Sequence, residues 1–413
     1  MKILVFNAGS SSQKSRLYDI GESIPDRPPA PLWEADADWT REKDATDITI
    51  KAASGQKIEE RLPTTARAEI IEPMLKSLWS GPTRVIGGPA DIAVVGHRVV
   101  HGGQQYRQPT LVTPAVKAAI QQLAEFAPLH NPANLEGIEV AERMLGKVPQ
   151  VAVFDTAFHS QLPQEVAVYP GPYAWFEMGI KRYGFHGISH QYCARRSAQI
   201  VGRDLETLRI LNCHLGNGCS LAAIKHGQSI DTTMGFTPLE GLMMGSRSGS
   251  LDPSIVLYLQ REKGYTIEQI DQVLNKESGL KGISGVSSDM RQILQAIDEG
   301  NTRAKLALDI YIYRLRFFIG AMMASLGGID VLTFTAGIGE NAAQVRAGAC
   351  EPFGFLNLKL DAAQNAASPA DQDIATTDSA VRVLIVHTEE DWEIARECWH
   401  LVTPSSSSSI SAN

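Results

Sequence analysis

Hydrophobic positions along the chain gather into short runs that each end in a polar or glycine-rich turn. Six of them read as strands: residues 2–7, 92–95, 151–155, 209–214, 331–335 and 382–388. Each run is apolar without alternation, as expected for strands buried on both faces. Helical patterns lie between them. Thr113-Pro114 and Asp252-Pro253 have the form of an N-cap followed by proline at the first helical position. The longest helical pattern covers residues 302–326 and stops at Gly327-Gly328. Strands alternating with helices predict an α/β fold. The proline-rich stretch 24–31 reads as a surface loop.

The pattern also echoes itself half a chain apart. Residues 2–11 (Lys-Ile-Leu-Val-Phe-Asn-Ala-Gly-Ser-Ser) and 209–218 (Arg-Ile-Leu-Asn-Cys-His-Leu-Gly-Asn-Gly) are each a basic residue, an apolar strand and a turn of small residues. Two readings stay open: a duplicated domain with one phosphate-facing turn per half, and chance likeness between two strand–turn units. The 413 residues exceed one ordinary core, so two domains are expected, with a boundary near residue 150. The predicted N-terminal lobe is 1–152 and the C-terminal lobe 153–385. Segment 386–413 returns to the first lobe.

Composition narrows the classes. With 44% hydrophobic and 20% charged residues the chain reads as globular. A formal net charge of −8 argues against nucleic acid as the main partner, so an anionic ligand needs local donors. Five cysteines without CxxC spacing suit reduced thiols in a cytoplasm better than disulfides or zinc. The first apolar run is too short for a signal peptide, and the apolar stretch 317–326 is about half a membrane span. Neither membrane nor nucleic acid is expected as a partner. Five serines at 405–409 read as a disordered tail.

Several turns can carry chemistry. Asn7-Ala8-Gly9-Ser10-Ser11-Ser12 leaves a strand with small residues that let backbone approach phosphate, and Lys14 adds a charge; a plain serine-rich turn is the other reading. It lacks the Gly-Lys-Ser/Thr ending of a Walker loop. His214-Leu215-Gly216-Asn217-Gly218 is either a tight hairpin or a second phosphate turn. Gly337-Ile338-Gly339-Glu340-Asn341 follows a strand and precedes a helix, which fits an anion site or an ordinary loop. Arg98 and Arg247 sit among small residues and read as exposed forks for a carboxylate or phosphate, or as surface ion pairs. Asp155 ends a buried strand, as a functional acid or a helix cap. Glu389, Glu390 and Asp391 follow the last strand, as Mg²⁺ ligands or a solvated acidic turn. The pairs His97/His101 and His186/His190 lack the His-Glu-x-x-His pattern, so hydrogen bonding is expected of them rather than zinc.

In their order these motifs resemble the acetate kinase family of the actin, hexokinase and heat-shock ATPase superfamily. The resemblance runs from residue 2 to about residue 395. It rests on the turn at 7–12, Gly-His-Arg-Val-Val-His-Gly-Gly at 96–103, Ala-Pro-Leu-His-Asn-Pro at 127–132 and Phe-Asp-Thr-Ala-Phe-His at 154–159. Tyr-Gly-Phe-His-Gly at 183–187, the 214–218 and 337–341 turns and Ser-Gly-Val-Ser-Ser-Asp at 284–289 complete it.

The resemblance implies duplicated RNase H-like domains with a cleft between them, and reversible transfer of the ATP γ-phosphoryl group to acetate. It implies that Asn7 and Glu390 organise Mg²⁺ (or Mn²⁺). Lys14, His214, Leu215, Gly216, Asn217, Gly218, Asp289, Met290, Arg291, Gly337, Ile338, Gly339, Glu340 and Asn341 would hold ATP. Arg98 would bind the acetate carboxylate, and Val100, Leu129, Phe185 and Pro238 would form the methyl pocket. Asp155 would act at the substrate, and His186 with Arg247 would stabilise the transition state. A cytoplasmic homodimer is implied too. Propionate or another short fatty acid is the alternative acceptor, and an actin-like ATPase with a protein partner the alternative class. The sequence departs from the family pattern at Gln104, Ser250 and Glu389, where the family usually has Glu, Asp and Asn or Asp.

Overall fold

The computed structural model describes residues 1–9, 12–39, 44–128 and 130–403. Ser10 and Ser11 of the first turn, Leu129 of the expected methyl pocket and the serine tail lie outside them. The chain forms two compact units: Met1–Ala157 joined by the chain from Glu389 on, and Phe158–Thr388.

The first unit holds β1 (Lys2–Ala8), β2 (Ser12–Asp19), β3 (Trp33–Asp38), β4 (Thr46–Ala52), β5 (Lys57–Leu62), β6 (Val94–Val99), β7 (Thr110–Leu111) and β8 (Gln150–Phe154). They form one sheet in the order β5-β4-β3-β2-β1-β6-β8-β7. β1, β6 and β8 run parallel, while β1 to β5 are antiparallel neighbours. The apolar runs at 92–95 and 151–155 belong to β6 and β8. The sequence reading missed β2 to β5; in β2 to β4 the burial alternates, β3 reading buried–intermediate throughout, and β5 has no buried position. Such half-buried strands carry polar residues on every second position.

The second unit holds β9 (Arg209–Leu215), β10 (Cys219–Lys225), β11 (Gln228–Thr232), β12 (Val331–Thr335), β13 (Gln372–Asp373) and β14 (Arg382–Ile385) in the order β11-β10-β9-β12-β14-β13. Here β9, β12 and β14 run parallel, and β9, β10 and β11 are antiparallel. The inner order β11-β10-β9-β12-β14 therefore repeats β3-β2-β1-β6-β8 of the first unit in both sequence and direction. The echo between residues 2–11 and 209–218 falls on the matching strands β1 and β9, which makes it a fold-level duplication.

Helices cover both sheets. Thr113 caps the helix Pro114–Gln122 by accepting the Val116 amide, as the Thr-Pro pair predicts. The helix Thr302–Leu326 closes at Gly327 in the left-handed conformation and buries Tyr311, Leu315 and Ile319. At the other expected cap, the Asp252 carboxylate accepts the Ser254 amide as the helix Ser254–Lys263 begins. Among the described residues no helix is long and apolar enough to cross a membrane. The helix Glu390–Val402 packs on β1 and β6. A Cβ on Gly96 would lie 2.6 Å from both Cys398 Sγ and Ile394 Cγ2, so the helix packs directly against the glycine that opens the 96–103 motif.

Candidate active site

In the first unit the parallel ends of β1, β6 and β8 bring Asn7, Arg98 and Asp155 together, and the helix Glu390–Val402 adds its first acids. Arg98 donates from Nε and Nη2 to Asp155 Oδ2, at 3.0 and 2.5 Å, and from Nη1 to Asn7 Oδ1 at 3.4 Å. Asn7 Nδ2 donates to Asp391 Oδ1 at 2.8 Å and Glu390 Oε2 at 3.2 Å. The amide orientation follows from its neighbours: nitrogen toward two carboxylates, oxygen toward a guanidinium. Burial alone would lower the Arg98 pKa, but Asp155, Glu390 and Asp391 outweigh it and raise it. Burial raises the Asp391 carboxyl against the pull of Arg16, Asn7 and Lys14. Lys14 is the strand partner of Asn7.

This corrects one expectation. Arg98 is not an exposed fork, since its side chain is 15% exposed and tied to a carboxylate that is 2% exposed. Asp155 is its buried counter-ion. Around them, Asn134 Oδ1 accepts the Val100 amide and Asn131 brackets the backbone of His101, so the helix Asn131–Leu145 fixes the exit of β6. His97 bonds Gln150 and His101 accepts the Gly103 amide; burial lowers both to about 4. These are structural hydrogen bonds of neutral rings. Gln104 is exposed.

In the second unit the hairpin tip between β9 and β10 meets a turn carrying Arg247. The Gly245 amide donates to Asn217 O at 3.0 Å, and a Cβ on Gly245 would lie 2.1 Å from Asn217 Oδ1. Gly279, at φ +63°, lies so close that its Cβ would be 2.2 Å from Met244 O. The result is a turn with little freedom. Arg247 donates from Nη1 to Pro238 O at 3.0 Å and approaches Met244 Sδ at 3.9 Å, both neutral. Burial lowers its pKa, and among the described residues no carboxylate pairs with it. A half-buried guanidinium of this kind has an unmet preference for an anion. A Cβ on Gly218 would stand 3.4 Å from Arg247 Nη1 and 3.5 Å from His186 Nε2, so Gly218, Arg247 and His186 converge. His186 is held at φ 58° as the residue before the helix Gly187–Val201. Its ring stacks on His214 at 4.1 Å.

Beside them lies a cavity of about 730 Å³ lined by Gly216, Asn217, Ser288, Asp289, Met290, Arg291, Leu294, Gly337, Ile338, Asn341 and Ala342. Eight residues expected at ATP line it. Leu215 is fully buried in the core, Gly218 faces Arg247, Glu340 bonds His387 at 2.7 Å, and His214, Gly339 and Lys14 are not in the wall. Asp289 caps the helix Met290–Asp298 by accepting the Arg291 amide, and pairs with the Arg291 side chain at 2.6 Å. The 337–341 segment is a helix (Ala336–Asn341), not the loop the sequence suggested. The reason is Arg346, fully buried, whose guanidinium donates to Gly339 O, Glu340 O, Asn365 Oδ1, Asn365 O and Ser368 Oγ. The sequence reading missed Arg346, and no motif marks it.

The expected methyl pocket divides between the units: Val100 is buried in the first, Phe185 is buried and Pro238 half-buried in the second. At the Ser250 departure, the hydroxyl accepts the Gly241 amide at 2.9 Å, a bond that a carboxylate could equally accept.

The sequence matches the acetokinase family over residues 2–396. The chain belongs to the acetokinase family. An acetate kinase of Gloeobacter violaceus is 63% identical over 401 residues, 97% of this chain and 99% of that protein. The crystal structure of Porphyromonas gingivalis acetate kinase superimposes with a TM-score of 0.88 at 37% identity, covering 97% of this chain and 100% of that one. A propionate kinase from Francisella tularensis gives 0.86 at 37% identity, covering 96% and 98%. The fold is thus that of acetokinases, and the family's chemistry is phosphoryl transfer to a carboxyl group.

Proposed function

We propose that the protein catalyses reversible, Mg²⁺-dependent transfer of the γ-phosphoryl group of ATP to acetate, giving acetyl phosphate and ADP by direct in-line transfer. The observation that carries it is Arg247: a half-buried cation whose hydrogen-bond partners among the described residues are neutral, held beside His186 and next to the hairpin tip whose Gly216 and Asn217 line a nucleotide-sized cavity. Acetate is ionised near neutrality, since carboxylic acids titrate at roughly pH 4 to 5, so no strong base is needed to make the nucleophile. The difficulty is bringing one anion to another. In this reading Arg98 anchors the acetate carboxylate, with Asp155 fixing the guanidinium. Arg247 and His186 contact the oxygens of the transferring group, where charge develops. Val100, Phe185 and Pro238 would serve the methyl group. The cavity walls at Gly216, Asn217, Asp289 to Arg291, Gly337, Ile338 and Asn341 receive the nucleotide.

Among the described residues no group of three or more acidic, histidine or cysteine side chains is placed to hold a metal alone. The Mg²⁺ reading is supported by the carboxylates of Glu390 and Asp391, which accept from Asn7, because Mg²⁺ in nucleotide sites needs few protein ligands. Bound with the nucleotide, the ion would neutralise phosphate charge. Glu390, half-buried at the edge of the cluster, would hold it, and Asn7 would orient Glu390 through its amide hydrogen. A homodimer through the second unit is supported by exposed Ile255, Leu257, Tyr258, Tyr313 and Phe317. A cytoplasmic location is supported by five free, buried cysteines.

The test is hydroxamate formation with acetate, propionate and butyrate, each with ATP or pyrophosphate. Acetate with ATP should be best, and propionate poorer by about 10- to 200-fold at most, the range for one methylene in an apolar pocket. Propionate turned over as well as acetate would move the reading to a propionate kinase. ATP hydrolysis indifferent to any carboxylate would move it to an ATPase.

A further inference from the structure

His186 belongs to a chain of hydrogen bonds that begins on β9. Asn212 Nδ2 on β9 lies 2.8 Å from His190 Nδ1. An amide nitrogen has hydrogens but no acceptor lone pair, so His190 Nδ1 is bare and its proton sits on Nε2. His190 Nε2 lies 2.8 Å from Ser220 Oγ on β10, and donates to it. The Ser220 hydrogen is then left for its other neighbour, His186 Nδ1, at 2.9 Å. His186 Nδ1 therefore accepts, and its proton is carried by Nε2, the atom that faces Gly218 and Arg247.

The start of the chain has a direction. Asn212 is fully buried and its Oδ1 has no hydrogen-bond partner. Turning the amide would place an NH₂ group with two donors at that spot, and a lone buried acceptor is the more tolerable orphan. Burial, with His159 and His214 nearby, holds the His190 pKa well below the histidine range, so this ring stays neutral and has one proton to place.

We infer that Asn212, His190 and Ser220 are positioning residues that fix His186 as its Nε2–H tautomer, so that it meets the transferring phosphoryl group as a hydrogen-bond donor. The inference rests on the phosphoryl-transfer reading above. Phosphoryl oxygens only accept, so the opposite tautomer would set a bare nitrogen against them.

The full-length protein labelled with ¹⁵N-histidine tests this by NMR at about pH 8, above the ordinary histidine range. The His186 signals are assigned by their loss in His186→Gln. Wild type should show His186 with Nε2 protonated and Nδ1 bare. Ser220→Ala removes one oxygen and little volume; it should leave a mixture of tautomers and lower kcat about tenfold, as for other supporting-shell losses, with KM for ATP and acetate nearly unchanged. Asn212→Asp should draw the His190 proton onto Nδ1, reverse each bond in turn and give His186 with Nδ1 protonated. Its kcat should fall about a hundredfold, the scale of one lost transition-state donor. Wild-type His186 with the proton on Nδ1, or an unchanged tautomer in both variants, would overturn the inference. A wild type with the Nε2–H tautomer but no carboxylate-dependent turnover would support the relay and overturn the functional reading it serves.

Discussion

The Arg98–Asp155 pair should be the most strongly coupled pair in the first unit, and removing one partner should damage stability more than removing both. Two N–H groups of Arg98 reach one oxygen of Asp155 at 2.5 and 3.0 Å, and neither side chain has much water around it. With charge centres about 4 Å apart and an effective dielectric near 20, the attraction is about 4 kcal/mol. That agrees with the roughly 3–5 kcal/mol lost when one partner of a buried pair is deleted. Arg98→Met would leave Asp155 buried with Glu390 and Asp391 close by, all of one sign. Thermal unfolding of the first unit should drop by about 10 °C, at roughly 2–4 °C per kcal/mol for a domain of this size. Arg98→Met with Asp155→Leu replaces both charges with apolar groups and should recover most of that loss. The coupling from the double-mutant cycle should therefore exceed about 2 kcal/mol. All three variants should lack carboxylate-dependent turnover, so stability would recover without activity. An Arg98→Met protein within about 1 kcal/mol of wild type, or strictly additive effects, would refute the buried-pair argument.

Arg247 should behave in the opposite way. Arg247→Ala removes a cation with no carboxylate partner, so unfolding should be unchanged or slightly later, while kcat falls about a hundredfold (about 3 kcal/mol) and KM for acetate moves little; near-normal kcat would remove it from the transition state. Gly337→Phe should fold, because nothing lies within 4 Å of its Cβ position and its φ is not left-handed. It should raise KM for ATP at least about tenfold, or 1.4 kcal/mol, and an unchanged KM would place the nucleotide elsewhere. Arg346→Met should lower stability by about 2–4 kcal/mol, since the carbonyls of Gly339, Glu340 and Asn365 lose their donor. It should also raise KM for ATP, and a purely thermal effect would show that the helix Ala336–Asn341 holds without it.

What the sequence made legible was the punctuation of the chain, and what it withheld was register. The turns at 7–12, 214–218 and 337–341 were visible because strands that end in small residues leave a local signature. The order β3-β2-β1-β6-β8 was not, because β2 to β4 alternate buried and exposed positions and carry Lys14, Arg16, Glu34 and Asp36 within them. Arg98 shows the consequence most clearly. Its flanking glycines suggested exposure, yet its environment is set by the parallel pairing of β6 and β8, where Arg98 stands opposite Val153 and Val99 opposite Phe154. That register carries the strand end, and Asp155 with it, beside the guanidinium. No property of residues 96–103 encodes it, because the partner is 57 residues away. The helix Ala336–Asn341 is the same case: two glycines argue locally for a loop, and Arg346 overrides them by tying the carbonyls of Gly339 and Glu340. Asn212 adds a third. In sequence it is one polar residue in an apolar strand, easily read as a flaw in the pattern. Buried in β9 and bonded to His190, it holds the far end of the bonds that reach His186. A polar residue that interrupts a buried strand has to be satisfied by something, and tracing what satisfies it leads toward the site more directly than the histidines and acids of the motifs do.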